Sequence, residues 1–358
     1  MDEVEARKGE HLQVARTRDV NTTARAGWDD VRLVHQSLPE LDLDEVDPSV
    51  TFLGHRLRYP IFIASMTGGH EEARDVNRLL ARATQEFGIA MGVGSQRAAL
   101  RDARLRPTYS VVREEARDAL IVANIGAPQL ISQNGARPIS PEQVLEVVEM
   151  VAADALAVHL NFLEELVQTE GDRRARGCQD AIAELARSSP VPLIGKETGA
   201  GLSREAAERL SAAGVKALDV GGVGGTSFAA VEGYRAAARG DQRGAILGEV
   251  FRDWGIPTAV ALIQARSTGL PLIATGGIRT GLDAAKALAL GASLVGVARP
   301  LLSAAVDGYD SVVAWLRQFI TELETALFLT GSATLDQLRR RPPIVLGETR
   351  EWLRQLGD

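Results

Sequence analysis

A single cysteine, Cys178, occurs among the 358 residues, which excludes an intramolecular disulfide and fits a reducing compartment. No apolar run reaches the ~20 residues that a membrane-spanning helix needs. The opening residues, MDEVEARKGEHL, are charged and lack the apolar centre of a secretory signal, so the expected location is the cytoplasm. Basic residues do not predominate either. A net charge of −7 leaves no basic face to dominate the field, which argues against a general nucleic-acid binder. Histidine is scarce, and none follows His159.

What the chain does have is length and apolar content. With 45% hydrophobic residues it reads as a globular protein able to bury a large core, as one barrel-type domain or two ordinary ones. Eight short apolar runs follow one another, each closing on a polar or glycine-rich tip. They are PIFIASMTGG (60–69), AMGVGSQR (90–97), LIVANIGA (120–127), ALAVHLN (155–161), PLIGKETG (192–199), ALDVGGVGGT (217–226), PLIATGGIR (271–279) and LVGVARP (294–300). Runs of this kind suit strands buried on both faces, as in a parallel sheet.

The segments between them carry helical spacing and helix punctuation. VNRLLARATQEFG ends on a glycine, SREAAERLSAAG opens on a serine cap and closes on Gly214, and TGLDAAKALALG behaves alike. Eight strand–helix units in a row point to an α/β fold, a (β/α)8 TIM barrel. A doubly wound open sheet is the alternative. One domain is expected over 1–358: an N-terminal extension at 1–59, the barrel at 60–302, and a C-terminal helical extension at 303–358. In the longest gap, 227–270, a helix should start at Pro257. The stretch before it, YRAAARGDQRGAILGEV, is the best candidate for a mobile insertion.

In a barrel, chemistry collects where strands end, because the loops there converge on one face. Thr67, Ser95, Asn124, His159, Lys196, Thr226, Arg279 and Arg299 all sit at such ends. Gly276-Gly277-Ile278-Arg279 closes the seventh strand and Ala298-Arg299 the eighth. Glycines there would let backbone N–H groups approach a phosphate, and the following helices offer positive N-termini. A lysine late in an apolar strand, as Lys196 is, costs free energy unless an anion or carbonyl meets it. The pyrimidine edge of a flavin would do so.

Taken in order, MTGG at 66–69, GSQR at 94–97, ANIGA at 123–127, HLN at 159–161, KETGAGLS at 196–203, GGVGGTSF at 221–228, WGIPTA at 254–259 and GGIRTGLDAAKALALGA at 276–292 resemble the FMN-dependent, type 2 isopentenyl-diphosphate isomerases. The likeness runs from RKGEHL at 7–12 through the last barrel strand. Individual pieces occur in other flavin barrels; the ordered set is specific. The resemblance implies interconversion of isopentenyl and dimethylallyl diphosphate by a 1,3-proton shift. It also implies reduced FMN without net redox change, Mg²⁺, NADPH or another reductant to prime the flavin, and assembly as a tetramer or octamer. By the family pattern, Met66, Thr67, Gly68, Ser95, Asn124, Lys196, Gly221 and Thr226 would contact FMN. Gly277, Ile278, Arg279, Ala298 and Arg299 would hold its phosphate. Arg7, Lys8, Ser95, Gln96 and Arg97 would approach the substrate diphosphate.

The stretch HLNFLEE (159–165) departs from the family's usual H-x-N-P-L-Q-E. Glu165 inherits the Mg²⁺ role, and His159 and Asn161 would line the substrate pocket. Glu164 stands where the family keeps a glutamine at the substrate's reacting end, Phe162 replaces a proline, Phe228 a frequent tryptophan, and Gly221 an alanine or serine. Glu164 is expected to donate a hydrogen bond in the substrate complex, as the glutamine amide would. Two rivals remain: an FMN oxidoreductase of the hydroxy-acid-oxidising kind, which wants a histidine base late in the barrel, and a flavin-binding paralogue without isomerase activity. A cysteine-nucleophile dehydrogenase is disfavoured, since GGVGGTSF contains no cysteine.

Overall fold

A computed structural model describes residues 9–10, 13–14, 17–133 and 135–358. Eight strands, one in each expected run, are β1 (Ile61–Ile63), β2 (Ala90–Gly92), β3 (Ile121–Gly126), β4 (Ala155–Leu160), β5 (Leu193–Glu197), β6 (Ala217–Asp219), β7 (Leu272–Thr275) and β8 (Leu294–Val297). Each pairs in parallel with the next, and β8 returns to β1 with Val295 opposite Ile61, so the sheet closes into a barrel. The open-sheet alternative is thereby excluded.

The strands are apolar throughout because they face two cores. Ile63, Ile121, Val158, Leu218 and Val295 pack outward under the helices. Phe62, Val122, Ala157, Ile194, Ala217 and Ile273 fill the barrel interior. Side chains alternate between faces along a strand, so the inward position two residues further on is fixed by sequence. On β3 to β7 those positions are Asn124, His159, Lys196, Asp219 and Thr275. A polar layer therefore crowns an apolar interior at the C-terminal end of the barrel.

The helices start where their caps dictate. Ser203 Oγ accepts the Ala206 N–H at 3.1 Å, and Thr280 Oγ1 accepts that of Asp283 at 3.1 Å. Pro257 caps the helix Thr258–Ala265. The stretch expected as a mobile insertion is instead two packed helices, Phe228–Ala238 and Gln242–Val250. They cross at Gly233 and Gly248, where a Cβ on Gly233 would stand 2.9 Å from the Gly248 Cα. That contact between two small residues gave no periodic signal.

The extensions bracket the barrel. A hairpin, Val50–Phe52 with His55–Leu57, sends Phe52 and Leu57 against Phe62, Leu120 and Ile273 near the strand starts. Val31–Arg32 pairs antiparallel with Ile344–Val345, joining the two terminal regions. The helix after β8, Arg299–Asp307, runs past the expected barrel end at 302 and is followed by the long tail helix Tyr309–Leu329. Among the described residues no helix is long and apolar enough to cross a membrane.

Candidate active site

A cavity of 590 Å³ opens at the polar end of the barrel. Met66, Thr67, Gly68, Ser95, Asn124 and His159 line it from the β1 to β4 side. Lys196, Gly221 and Thr226 line it from β5 and β6, and Gly277, Ile278, Arg279, Ala298 and Arg299 from β7 and β8. Glu164 reaches it from the helix Phe162–Val167 that follows β4. Four expected residues do not line it: Gln96, Arg97, Asn161 and Glu165. Arg7 and Lys8 lie outside the described residues.

The wall is held by hydrogen bonds between neighbouring strand ends. Thr67 Oγ1 donates to Asn77 Oδ1, and Asn77 Nδ2 donates to the Thr108 backbone oxygen at 2.7 Å. Asn124 Nδ2 donates to the Val93 oxygen at 3.0 Å, which leaves its Oδ1 to accept from His159 Nδ1 at 2.8 Å. The His159 ring therefore carries its proton on Nδ1. Lys196 is 7% exposed, and its Nζ donates to the Glu197 backbone oxygen at 2.7 Å. Glu197 Oε2 accepts the N–H groups of Thr198, Gly199, Ala200 and Gly201 at 2.6 to 2.9 Å. Burial pushes the Glu197 carboxyl up, and those backbone donors act against it.

At the β6–β8 side the loops bring glycine backbone to the cavity. A Cβ on Gly225 would stand 3.0 Å from the Gly277 nitrogen, and Gly277 itself has a φ of 66°. Bare backbone thus faces the cavity beside the start of the helix Arg299–Asp307, whose first turn has no side-chain cap. Arg279 Nη2 donates to the Gly224 oxygen at 3.1 Å, and Arg299 Nη1 donates to Asn21 Oδ1 at 2.9 Å. The N-terminal segment seals this side: the Thr22 N–H reaches the Gly225 oxygen at 2.9 Å, and Trp28 Nε1 the Gly276 oxygen at 3.0 Å.

After β4 the chain turns through Asn161 into a short helix. Asn161 Nδ2 donates to Glu165 Oε1 at 3.0 Å and lies 3.4 Å from Glu164 Oε2. Its Oδ1 is buried with no partner. Glu165 is 2% exposed, and its Oε2 accepts the Asp172 N–H at 2.8 Å. No cluster of three or more His, Cys, Asp or Glu suited to a metal occurs among the described residues. Mg²⁺ held by one carboxylate, water and substrate phosphates needs no such cluster, and the oxygens of Glu165 and Asn161 have the right chemistry for a hard cation.

Two residues expected at the substrate diphosphate are engaged elsewhere. Gln96 is fully buried, donating from Nε2 to the Val147 oxygen at 2.8 Å and accepting the Asn124 N–H on Oε1 at 3.0 Å, so it supports Asn124 and does not face the cavity. Arg97 turns to Asp172, with Nη1 2.9 Å from Oδ2. Sequence reasoning missed Asn21, His70, Glu197 and Trp315, all of which line the cavity. Only Glu197, a carboxylate next to a strand-end lysine, carried a visible signal.

The family described as FMN-dependent dehydrogenase matches residues 12–105 and 128–343. A Halobacterium salinarum protein named isopentenyl-diphosphate delta-isomerase is 52% identical, covering 99% of this chain and 97% of its own length. The chain belongs to the isopentenyl-diphosphate delta-isomerase family. Proteins of the same name from Methanosarcina barkeri and Thermococcus kodakarensis are each 49% identical, covering 98% of this chain and 94% of theirs. Solved structures share the fold at lower identity. A Pediococcus acidilactici lactate oxidase superposes with a TM-score of 0.65 at 16% identity, covering 94% of this chain and 87% of its own. A mandelate oxidase variant bearing an FMN adduct gives 0.61 at 19%, covering 94% and 92%.

Proposed function

We propose that the protein interconverts isopentenyl diphosphate and dimethylallyl diphosphate, with FMN bound in the mouth of the barrel. The observation that carries this reading is whole-length identity of about half with proteins of that activity, on a chain whose strand-end residues build the cavity. Reduced FMN supplies the acid and base of the 1,3-proton shift. One proton is gained and one lost, so no reductant is consumed.

The chain's own residues bind and orient. The backbone of Gly277 and Ile278, with Arg279 and Arg299, would take the flavin phosphate. Met66, Thr67, Gly68, Ser95, Asn124, Gly221 and Thr226 would meet its ring and ribityl chain. Lys196 would meet the pyrimidine edge, where negative charge develops on reduction. Glu165 would hold Mg²⁺ against the substrate diphosphate, which a net-acidic protein cannot otherwise neutralise. Arg97, released from Asp172, and the N-terminal Arg7 and Lys8 would add positive charge. His159 and Asn161 would line the pocket at the reacting end. NADPH as priming reductant, a tetrameric or octameric assembly and a cytoplasmic location belong to the same reading.

The hydroxy-acid oxidase rival shares only the barrel, since no histidine follows His159. Cys178 offers no alternative nucleophile: it is buried, and burial pushes its thiol up to about 11. Dimethylallyl diphosphate formation by the anaerobically reduced protein tests the assignment.

Glu164 separates an isomerase from an inactive paralogue. Its Oε1 accepts from Gln168 Nε2 at 3.1 Å, and its Oε2 faces Asn161 Nδ2. A glutamine could keep the Gln168 bond through its carbonyl oxygen while offering substrate an N–H, which is the role assigned here to a Glu164 hydroxyl. Glu164→Gln should therefore keep isomerase kcat/KM within about tenfold of the parent, a change worth ~1.4 kcal/mol. Loss of all turnover with flavin still bound would instead make Glu164 an obligatory base or metal ligand.

A further inference from the structure

The polar layer contains one acidic group that the proposed reaction does not use. Asp219 ends β6 with its carboxylate pointing into the barrel, 1% exposed; burial pushes the carboxyl up, and the charge of Lys196, then the Thr275 hydroxyl and the Gly221 N–H, act against it. A buried carboxylate is unfavourable unless a cation or donors compensate it. The largest compensation comes from Lys196, the register partner of Asp219 on β5, whose Nζ stands 3.6 Å from Oδ2. That distance is an ion pair and not a hydrogen bond.

Lys196 has three N–H bonds to place. One goes to the Glu197 backbone oxygen, one lies toward Asp219, and the third is left for the cavity that Lys196 lines. The other titratable groups around it do not replace Asp219. His159 on β4 is engaged with Asn124, and the Glu197 carboxylate is occupied by four backbone N–H groups of its own loop. Strands β7 and β8 bring no titratable side chain.

We propose that Asp219 is a positioning residue: its carboxylate holds Lys196 Nζ in place and aimed into the cavity, and so sets how tightly the protein holds reduced FMN relative to oxidised FMN. The inference rests on the FMN reading and goes beyond it, since Asp219 does not line the cavity. An ammonium at the pyrimidine edge favours the reduced, negatively charged ring over the neutral oxidised one. Removing Asp219 weakens that preference through Lys196.

The test compares Asp219→Asn, an isosteric change, with the parent and with Lys196→Met. Each apoprotein is titrated with oxidised FMN in air and with dithionite-reduced FMN anaerobically. Asp219→Asn should leave the Kd for oxidised FMN within about threefold. It should raise the Kd for reduced FMN about tenfold, which lowers the two-electron potential of the bound flavin by ~30 mV. In the Lys196→Met background the same substitution should leave the ratio of the two Kd values unchanged. Equal weakening of both redox forms would show a merely structural role and overturn the inference, as would an unaltered ratio or tighter binding of reduced FMN. If Asp219→Asn does not fold, Asp219→Ser carries the same comparison. A parent protein that takes up no FMN would defeat the cofactor reading and this inference with it, whereas an unaltered ratio in a flavin-bound variant defeats the inference alone.

Discussion

Gly277→Val should yield a folded barrel that no longer retains FMN. The position has a φ of 66°, and a Cβ there would stand 2.6 Å from the Ala26 Cβ and 2.7 Å from the Gly224 oxygen. A left-handed conformation costs an L-residue with a side chain about 1–2 kcal/mol before any clash is counted. The clash falls where three chain segments meet: the loops after β6 and β7, and the N-terminal segment that reaches them through Thr22 and Trp28. They must separate to admit two methyl groups, and the backbone N–H groups leave the phosphate. FMN Kd should rise at least about a hundredfold, or ~2.7 kcal/mol. Flavin absorbance retained after desalting measures this, with circular dichroism to confirm the fold. A variant that stays yellow would place the phosphate elsewhere.

Glu165→Gln should spare the flavin and abolish the metal response. The carboxylate is buried among Asn161 Nδ2 and the Asp172 N–H, both donors, and a glutamine oxygen can satisfy one of them, so the turn should persist. What it loses is the charge that would hold Mg²⁺ against the diphosphate. Losing a partner that merely supports a metal ligand costs about 10–100-fold, so losing the ligand should exceed about a hundredfold in kcat/KM. Titrating Mg²⁺ should give no saturating rise in rate, while FMN Kd stays at the parent value. A variant with a normal Mg²⁺ response would move the metal away from the β4 turn.

The barrel was legible because closure leaves a repeating trace. Each strand must be apolar on both faces and must end in a residue suited to a wall, and Asn124, His159 and Lys196 stand at those ends at the right interval. The helix starts at Ser203 and Thr280 were legible for an equally local reason, a side-chain oxygen placed to meet an unpaired N–H. The side-chain directions of Gln96 and Arg97 were not. Both follow β2 where the chain enters the short helix Arg97–Arg101, beyond the strand's alternation, and partners distant in sequence decide their orientation. Gln96 turns inward to the Val147 oxygen and the Asn124 N–H, and Arg97 to Asp172. Asn21 was hidden for a similar reason, since it joins the site only when the segment before Trp28 lies along the β6 loop. Asp219 was visible as a residue and overlooked as a charge, because a short apolar run absorbed it. The roles given to Glu165, Arg7 and Lys8 came from family resemblance alone, since a solvated arm or a loop acid would read the same.

The central claim is proton transfer without redox turnover, and reductant stoichiometry tests it most directly. The FMN-loaded protein is reduced once under anaerobic conditions, freed of excess reductant, and given isopentenyl diphosphate with Mg²⁺. The account predicts many dimethylallyl diphosphate molecules per flavin, with the flavin spectrum still that of the reduced form at the end. Product limited to one molecule per flavin, or flavin reoxidised in step with substrate loss, would contradict it.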